Sequence, residues 1–139
     1  MKTILQDQNK FVLRAVIGED VMEAVKQFCE EKGIEAAWFS AIGAAKEAVI
    51  AKYNIVEKKY ESKEFIQELE IDHVIGDISL KDGEVFVHAH GSLSDTVMQM
   101  YGGHIQKLVV GVTCEIFLEK FNGKIERAFD EETGLHLME

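Results

Sequence analysis

Hydrophobic and polar residues follow two different periods along this chain, and these periods predict its secondary structure. Most of the chain consists of short apolar or alternating runs between glycine and polar turns, which is typical of β-strands. The predicted strands are residues 11–17, 34–42, 48–56, 65–74, 75–80, 84–93, 105–121 and 124–129. Because the turns between them are mostly short, the pattern favours antiparallel pairing.

One segment has the helical period instead. Its apolar residues recur at helical spacing on one side, and charged residues occupy the other side. The stripe contains Val21, Val25, Phe28 and Cys29. We expect the helix to begin at Glu19 or Asp20, since acidic groups favour the positive end of a helix, and to end at Gly33.

The sequence has no proline, so glycines and polar residues mark the breaks. The predicted breaks are a strand end at Gly43, a polar hairpin region at 57–63, a turn at 81–83, a loop at 94–103, a bend at Gly111 and a hairpin at 122–123. The fold class that follows is α+β: a curled, mostly antiparallel sheet of seven or eight strands with one main helix.

Composition limits the possible classes of protein. With 139 residues, of which 47% are hydrophobic, residues 1–139 are expected to form a single domain with a sizeable core. No apolar run approaches the roughly 18 residues of a membrane span, and no signal peptide is evident, so we expect a cytoplasmic protein without a membrane partner. Cys29 and Cys114 do not form a disulfide framework and are expected to be small buried residues.

The formal net charge is −10, and it argues against direct nucleic-acid binding. The densest basic position, Lys58-Lys59, lies between Glu57 and Glu61. Phosphate-binding glycine loops and the serine-hydrolase elbow are absent from the sequence, so nucleotide cofactors and serine-hydrolase chemistry have no support.

The candidate chemistry lies in residues 83–104, which contain His88, His90 and His104. Because His88 and His90 are two residues apart in a strand, both side chains point to one face, with Cα atoms roughly 6.6 Å apart. His104 follows Gly102-Gly103, where the chain can turn tightly and bring in a third imidazole.

Three neutral imidazoles with room for a water are the usual open zinc site, which lowers the pKa of bound water to about 7. The alternative is that the histidines are ordinary polar residues with hydrogen-bond partners.

Carboxylates could orient the imidazole rings by accepting the N–H of the ring nitrogen that does not bind the metal, and the candidates are Glu70, Asp77 and Asp95. Arg14 is either an arginine at a sheet edge, whose charged end reaches solvent past its buried stem, or an anion-binding group beside the metal. His73 and His136 are expected to lie outside the site.

These motifs resemble the plant and prokaryote conserved (PPC) domain, which also occurs in plant AT-hook nuclear proteins. The resemblance extends from about Phe11 to Phe129. It rests on residues 83–90, similar to the family's Gly-x-x-x-x-His-x-His, and on 102–104, its Gly-Gly-His, with support from 13–14, 18–19, 40–43, 70–71 and 76–79. It implies a stand-alone α+β domain that assembles as a homotrimer and holds a metal, most plausibly zinc, on His88, His90 and His104.

Three hypotheses for the function remain open. The first is a metal-dependent enzyme or a site for a small-molecule ligand, with an unknown substrate. The second is a regulatory or assembly module that is DNA-associated through a partner, because relatives carry a DNA-binding description. This chain lacks the Arg-Gly-Arg-Pro hook of the plant proteins. The third is a structural metal that stabilises the fold.

Overall fold

A computed structural model describes all 139 residues and contains nine strands and one helix. The elements are β1 (Lys2–Asp7), β2 (Lys10–Val16), α1 (Val21–Lys32), β3 (Ala37–Asn54), β4 (Lys59–Phe65), β5 (Leu69–Lys81), β6 (Glu84–Ser94), β7 (Met100–Lys120), β8 (Glu126–Asp130) and β9 (Leu135–Met138). This confirms the predicted α+β class. The helix is too short and too polar to cross a membrane.

The sheet curls until it closes on itself. β3 pairs with β5 and with β7, and β6 pairs with the same two strands, all antiparallel. These four strands therefore form a closed ring, with β2 and then β1 added beside β7 and β4 added beside β3. The ring has an inner face that packs in the core and an outer face that carries polar residues together with several exposed apolar ones.

The helix begins and ends where the sequence predicts. The Asp20 side chain accepts a hydrogen bond from the backbone N–H of Met22, and Gly33 adopts a left-handed conformation at the C-terminal end. Its apolar stripe is buried against β6 and β7. The core is a single cluster of 28 buried residues, in which Leu13, Phe39 and Ile116 are fully buried.

The predicted strand end at Gly43 is wrong, because β3 continues through it to Asn54. The register of β3 against β5 shifts between Ala41 and Gly43. A Cβ at Gly43 would lie 2.1 Å from the carbonyl oxygen of Thr113 on β7. The glycine therefore permits a close approach of two strands.

Two other boundaries also differ from the prediction. Residues 65–74 and 75–80 do not form two strands, since 69–81 is one continuous strand. The predicted loop at 94–103 is shorter, because β7 begins at Met100. The Asp95 carboxylate accepts hydrogen bonds from the backbone N–H groups of Val97 and Gln99, and these contacts complete a tight turn.

The predicted hairpin at 122–123 is wrong. The chain leaves β7 and enters β8, which pairs in parallel with the end of β5, where Leu80 lies opposite Glu126. The acidic tail then returns as β9, which pairs with β8. Residues 126–138 therefore form a C-terminal hairpin beside β5, far in sequence from the strand it contacts.

Candidate metal centre

The pairing of β5, β6 and β7 brings three histidines together on the outer face of the sheet. His90 and His104 lie directly opposite each other in the β6–β7 register. His88 is two residues from His90 on the same face. One ring nitrogen from each of His88, His90 and His104 lies within 4.8 Å of the others.

His104 joins the cluster through strand pairing and not through a turn. Gly102 and Gly103 lie inside β7, in its paired region. A Cβ at Gly103 would lie 2.7 Å from the carbonyl oxygen of Ala51 on β3. The second glycine therefore lets β7 pack closely on β3, and this packing places the next residue, His104, in the cluster.

His88 is oriented by a carboxylate. Its Nδ1 lies 3.2 Å from Oδ2 of Asp77, the residue opposite it on β5. When Nδ1 carries the proton, Nε2 keeps the lone pair that a metal needs. Burial alone would raise the pKa of Asp77, but hydrogen bonds from His88 and Arg127 and the charge of Arg127 outweigh burial and hold that pKa below its usual range. Asp77 is therefore a carboxylate at neutral pH.

Arg127, on the C-terminal hairpin, binds the other oxygen of this carboxylate. Its terminal nitrogen lies 2.8 Å from Asp77 Oδ1, and its side chain is only 7% exposed. Sequence reasoning missed this residue. The available signal was a lone arginine in a segment of otherwise acidic charge, since residues 126–139 contain five carboxylates and no other cation apart from His136.

His104 is held by packing instead of hydrogen bonds. Its ring stacks on Tyr60 with centroids 4.8 Å apart and an interplanar angle of 26°. Its Nδ1 is buried without a hydrogen-bond partner. Burial, followed by the proximity of His88 and His90, lowers the pKa of His104 to about 4. Burial and then His88 also lower the pKa of His90.

These features fit a metal ion. Depressed pKa values keep the His90 and His104 rings neutral at pH 7, and a neutral imidazole is the form that binds a metal. The buried Nδ1 of His104 is a lone polar atom in need of a partner, which a metal or a bound molecule would supply. A set of nitrogen ligands without thiolates or directly contacting carboxylates suits Zn²⁺, whereas Ca²⁺ and Mg²⁺ prefer oxygen ligands.

Of the three candidate carboxylates, the structure brings only Asp77 to the histidines. Asp95 instead accepts hydrogen bonds within the turn after β6 and from the Tyr101 hydroxyl. Glu70 lies opposite Ser94, at the other end of the β5–β6 pair. Seven residues of strand separate Glu70 from Asp77, roughly 23 Å.

Arg14 is not brought to the histidines either. It is exposed on β2, where it lies opposite Glu115 of β7, eleven residues along that strand from His104. The arginine that lies near the cluster is instead Arg127, which binds Asp77. His73 is exposed on β5 outside the cluster, as expected. His136 lies in β9, and only its backbone carbonyl contacts the site, as an acceptor for Arg127.

The chain is similar to known proteins in both sequence and fold. A family model described as the Plants and Prokaryotes Conserved (PCC) domain matches residues 3–122. No curated protein matches the chain. A crystal structure described as a metal-containing protein from Archaeoglobus fulgidus is 42% identical, with a TM-score of 0.88 and 99% of each chain covered.

Two further crystal structures are similar over nearly the full length. A plant- and prokaryote-conserved (PPC) protein from Pyrococcus horikoshii is 36% identical, with a TM-score of 0.89, and the match covers 100% of this chain and 97% of that one. A "putative DNA binding protein" from Bacteroides thetaiotaomicron is 25% identical, with a TM-score of 0.93, and the match covers 97% and 94%. The C-terminal hairpin lies beyond the residues that the family model matches.

Proposed function

Because the chain belongs to the Plants and Prokaryotes Conserved domain family, we propose that it is a metal-binding protein that holds one zinc ion between His88, His90 and His104. The proposal rests on the convergence of one nitrogen from each ring within 4.8 Å. The buried, unpartnered Nδ1 of His104 supports it, since such an atom is costly without a ligand. A relative that is 42% identical and described as metal-containing adds support.

Three protein ligands leave one position of a tetrahedral zinc site free, which is the arrangement of catalytic sites and not of structural ones. When bound, zinc supplies a Lewis acid that polarises whatever small molecule occupies this position. His90 is exposed in the single chain, so the free position of the ion lies at the outer surface of that chain. Asp77 and Arg127 carry opposite charges and neutralise each other, which leaves the charge of the ion to select the ligand. We therefore propose a small-molecule site, and anionic ligands are favoured.

Metal analysis of protein purified without a histidine tag tests the proposal. We expect about one zinc per chain in the wild-type protein and in His73→Ala, whose exposed ring lies outside the cluster. The double variant with His88→Ala and His90→Ala should contain none. Wild-type protein that takes up no zinc from solution, or a double variant with unchanged metal content, would contradict the proposal.

Removal of the metal separates an open functional site from a structural one. The core of 28 residues closes without any contribution from the three histidines, so the chelated protein should remain folded. A cooperative thermal transition after chelation supports the open site. Loss of that transition would instead favour a metal that stabilises the fold.

We further propose that three copies of the chain assemble through the outer face of the sheet. Trp38, Ile42, Ile75 and Phe117 on this face are each 42% to 56% exposed. Phe117 lies opposite Ser40, and Ser40 lies opposite Ile75, so they form one row across three strands. Such an exposed apolar row favours burial against another copy of the chain.

Light scattering tests this assembly. It should give a trimer for the wild type and a monomer for Phe117→Glu, and a monomeric wild type would refute the assembly.

A role in association with DNA is the second candidate. The description of the relative from Bacteroides thetaiotaomicron favours it, although that protein is only 25% identical. The net charge of −10 favours contact through a partner over direct binding. In a mobility-shift assay at low salt, we expect no shift of duplex DNA by the isolated protein, and a salt-dependent shift would contradict this.

We also propose that the protein works in the cytoplasm. Cys29 and Cys114 are both free thiols, and both are fully buried. Cysteines kept as thiols are typical of a reducing compartment. Fractionation of cells that produce the untagged protein would locate it, and recovery outside the cytoplasm would contradict the proposal.

A further inference from the structure

We propose that the C-terminal hairpin is part of the metal centre, and that Arg127 is a positioning residue that fixes His88 through Asp77. This inference rests on the proposed metal function. It assigns a role to a segment that lies outside residues 3–122, the part of the chain that the family model matches.

Arg127 is held rigidly on the hairpin. Its Nε donates to Ser79 Oγ at 2.7 Å, and one terminal nitrogen donates to the backbone carbonyl of His136 at 3.1 Å. The guanidinium lies over the ring of Phe86, 5.2 Å from its centroid. With these contacts made, the second terminal nitrogen donates to Asp77 Oδ1. A planar group with this many fixed contacts cannot rotate freely.

Asp77 connects the fixed guanidinium of Arg127 to the ring of His88. One carboxylate oxygen accepts from Arg127, and the other lies 3.2 Å from His88 Nδ1. Because both oxygens are engaged, the carboxylate plane is fixed, and so are the orientation and the tautomer of the His88 ring. The arrangement extends the usual carboxylate–histidine pair of metal centres by one residue.

The same hairpin also contacts the other side of the cluster. The Tyr53 hydroxyl donates to the backbone carbonyl of Thr133 at 2.7 Å, and the Lys58 ammonium donates to the carbonyl of Glu131. Tyr53 in turn packs against Tyr60 of β4, with ring centroids 5.0 Å apart, and Tyr60 stacks on His104. The hairpin therefore contacts Asp77, which orients His88, and Tyr53, which packs on the ring beneath His104.

Arg127→Gln tests the role of this residue, and Arg14→Gln is the matched control, because it makes the same change at an exposed arginine away from the histidines. Zinc affinity is measured by competition with a chromophoric chelator. We expect binding to weaken about 10–100-fold in Arg127→Gln, as for other groups that orient a metal ligand, and to stay unchanged in Arg14→Gln. Nitrogen NMR of His88 in the metal-free protein should show mixed tautomers in Arg127→Gln and a single Nδ1–H form in the wild type.

Arg127→Lys keeps the charge but loses the planar set of donors, so its affinity should lie between those of the wild type and Arg127→Gln. It also serves as the readout where Arg127→Gln does not fold. A folded variant with a lower melting temperature but wild-type zinc affinity and a single tautomer would show that Arg127 is only structural and would overturn the inference. Failure of the wild type to bind zinc would instead overturn the proposed metal function.

Discussion

The two sides of the histidine cluster are held by different physical means. On the β6 side, His88 is fixed by hydrogen bonds through Asp77. On the β7 side, His104 is fixed by stacking on Tyr60, and its buried Nδ1 has no partner. Hydrogen bonds determine which nitrogen of a ring is available, whereas packing determines only where the ring lies.

This difference has an energetic consequence for the metal-free protein. A buried polar atom without a partner costs about 1–3 kcal/mol, so the β7 side is the less stable part of the site. A ligand that reaches this nitrogen would remove the cost, whereas His88 on the β6 side already has its hydrogen-bond partner. We therefore expect substitutions that remove a histidine, change its orientation or loosen its packing to reduce zinc affinity and stability by different amounts.

The largest effect is expected when His104 itself is removed. His104→Ala deletes one of three ligands and should weaken zinc binding by more than the roughly 10–100-fold that a supporting residue accounts for. In the metal-free protein the same variant also deletes the unpartnered nitrogen, so it should lose little thermal stability. Zinc competition and calorimetry measure the two effects, and full-strength binding by His104→Ala would exclude this residue as a ligand.

The next largest effect on zinc affinity is expected when only the orientation of the His88 ring is disturbed. Asp77→Asn keeps the shape of the side chain but removes the charge that pairs with Arg127 and with the His88 ring. We expect zinc affinity to fall about 10–100-fold. Asp95→Asn is the control, because that carboxylate serves a turn away from the cluster. Equal affinities for the two variants would mean that hydrogen bonding on the β6 side contributes nothing.

A smaller effect, on stability, is expected when a methyl group is added at a glycine that packs closely against β6. A Cβ at Gly76 would lie 2.4 Å from the Phe39 ring and 2.7 Å from the His88 carbonyl oxygen, so Gly76→Ala must displace β6. A Cβ at Gly102 would lie 3.1 Å from the carbonyl oxygen of Gly91, which requires only a small shift. Gly76→Ala should therefore destabilise the protein by about 1–2 kcal/mol, and Gly102→Ala by less. Denaturant unfolding measures both, and the reverse order would show that the β7 side is the more tightly packed.

The β6 side also shows what the sequence can predict. The alternation of residues 84–93 places His88 and His90 on one face, because strand periodicity is a local property. Choosing Asp77 over Glu70 and Asp95 needed the β5–β6 register, which pairs Asp77 with His88. Several registers are compatible with the hydrophobic pattern of two separate segments, so spacing alone could not rank the three carboxylates.

The remaining errors come from contacts between distant parts of the chain. His104 lies in the cluster, but the glycines before it allow close strand packing and do not make a turn. Arg127 was missed because Asn122-Gly123 has the local chemistry of a hairpin, whereas the chain crosses to pair in parallel with β5. Parallel pairing between distant segments leaves no periodic signal near the residues involved.

The smallest effect is expected from Tyr60, and it tests whether packing alone holds His104. Tyr60→Phe keeps the ring that stacks on His104 and should match the wild type in zinc affinity and stability, because the stacking contact does not involve the hydroxyl. Tyr60→Leu removes the stacked ring and should cost about 0.5–1.5 kcal/mol of stability, with a loss in zinc affinity of only a few fold. Calorimetry and zinc competition on the two variants check this. A loss as large as that of Asp77→Asn would mean that stacking orients its ligand as strongly as hydrogen bonding does, and the two sides of the cluster would then be equivalent.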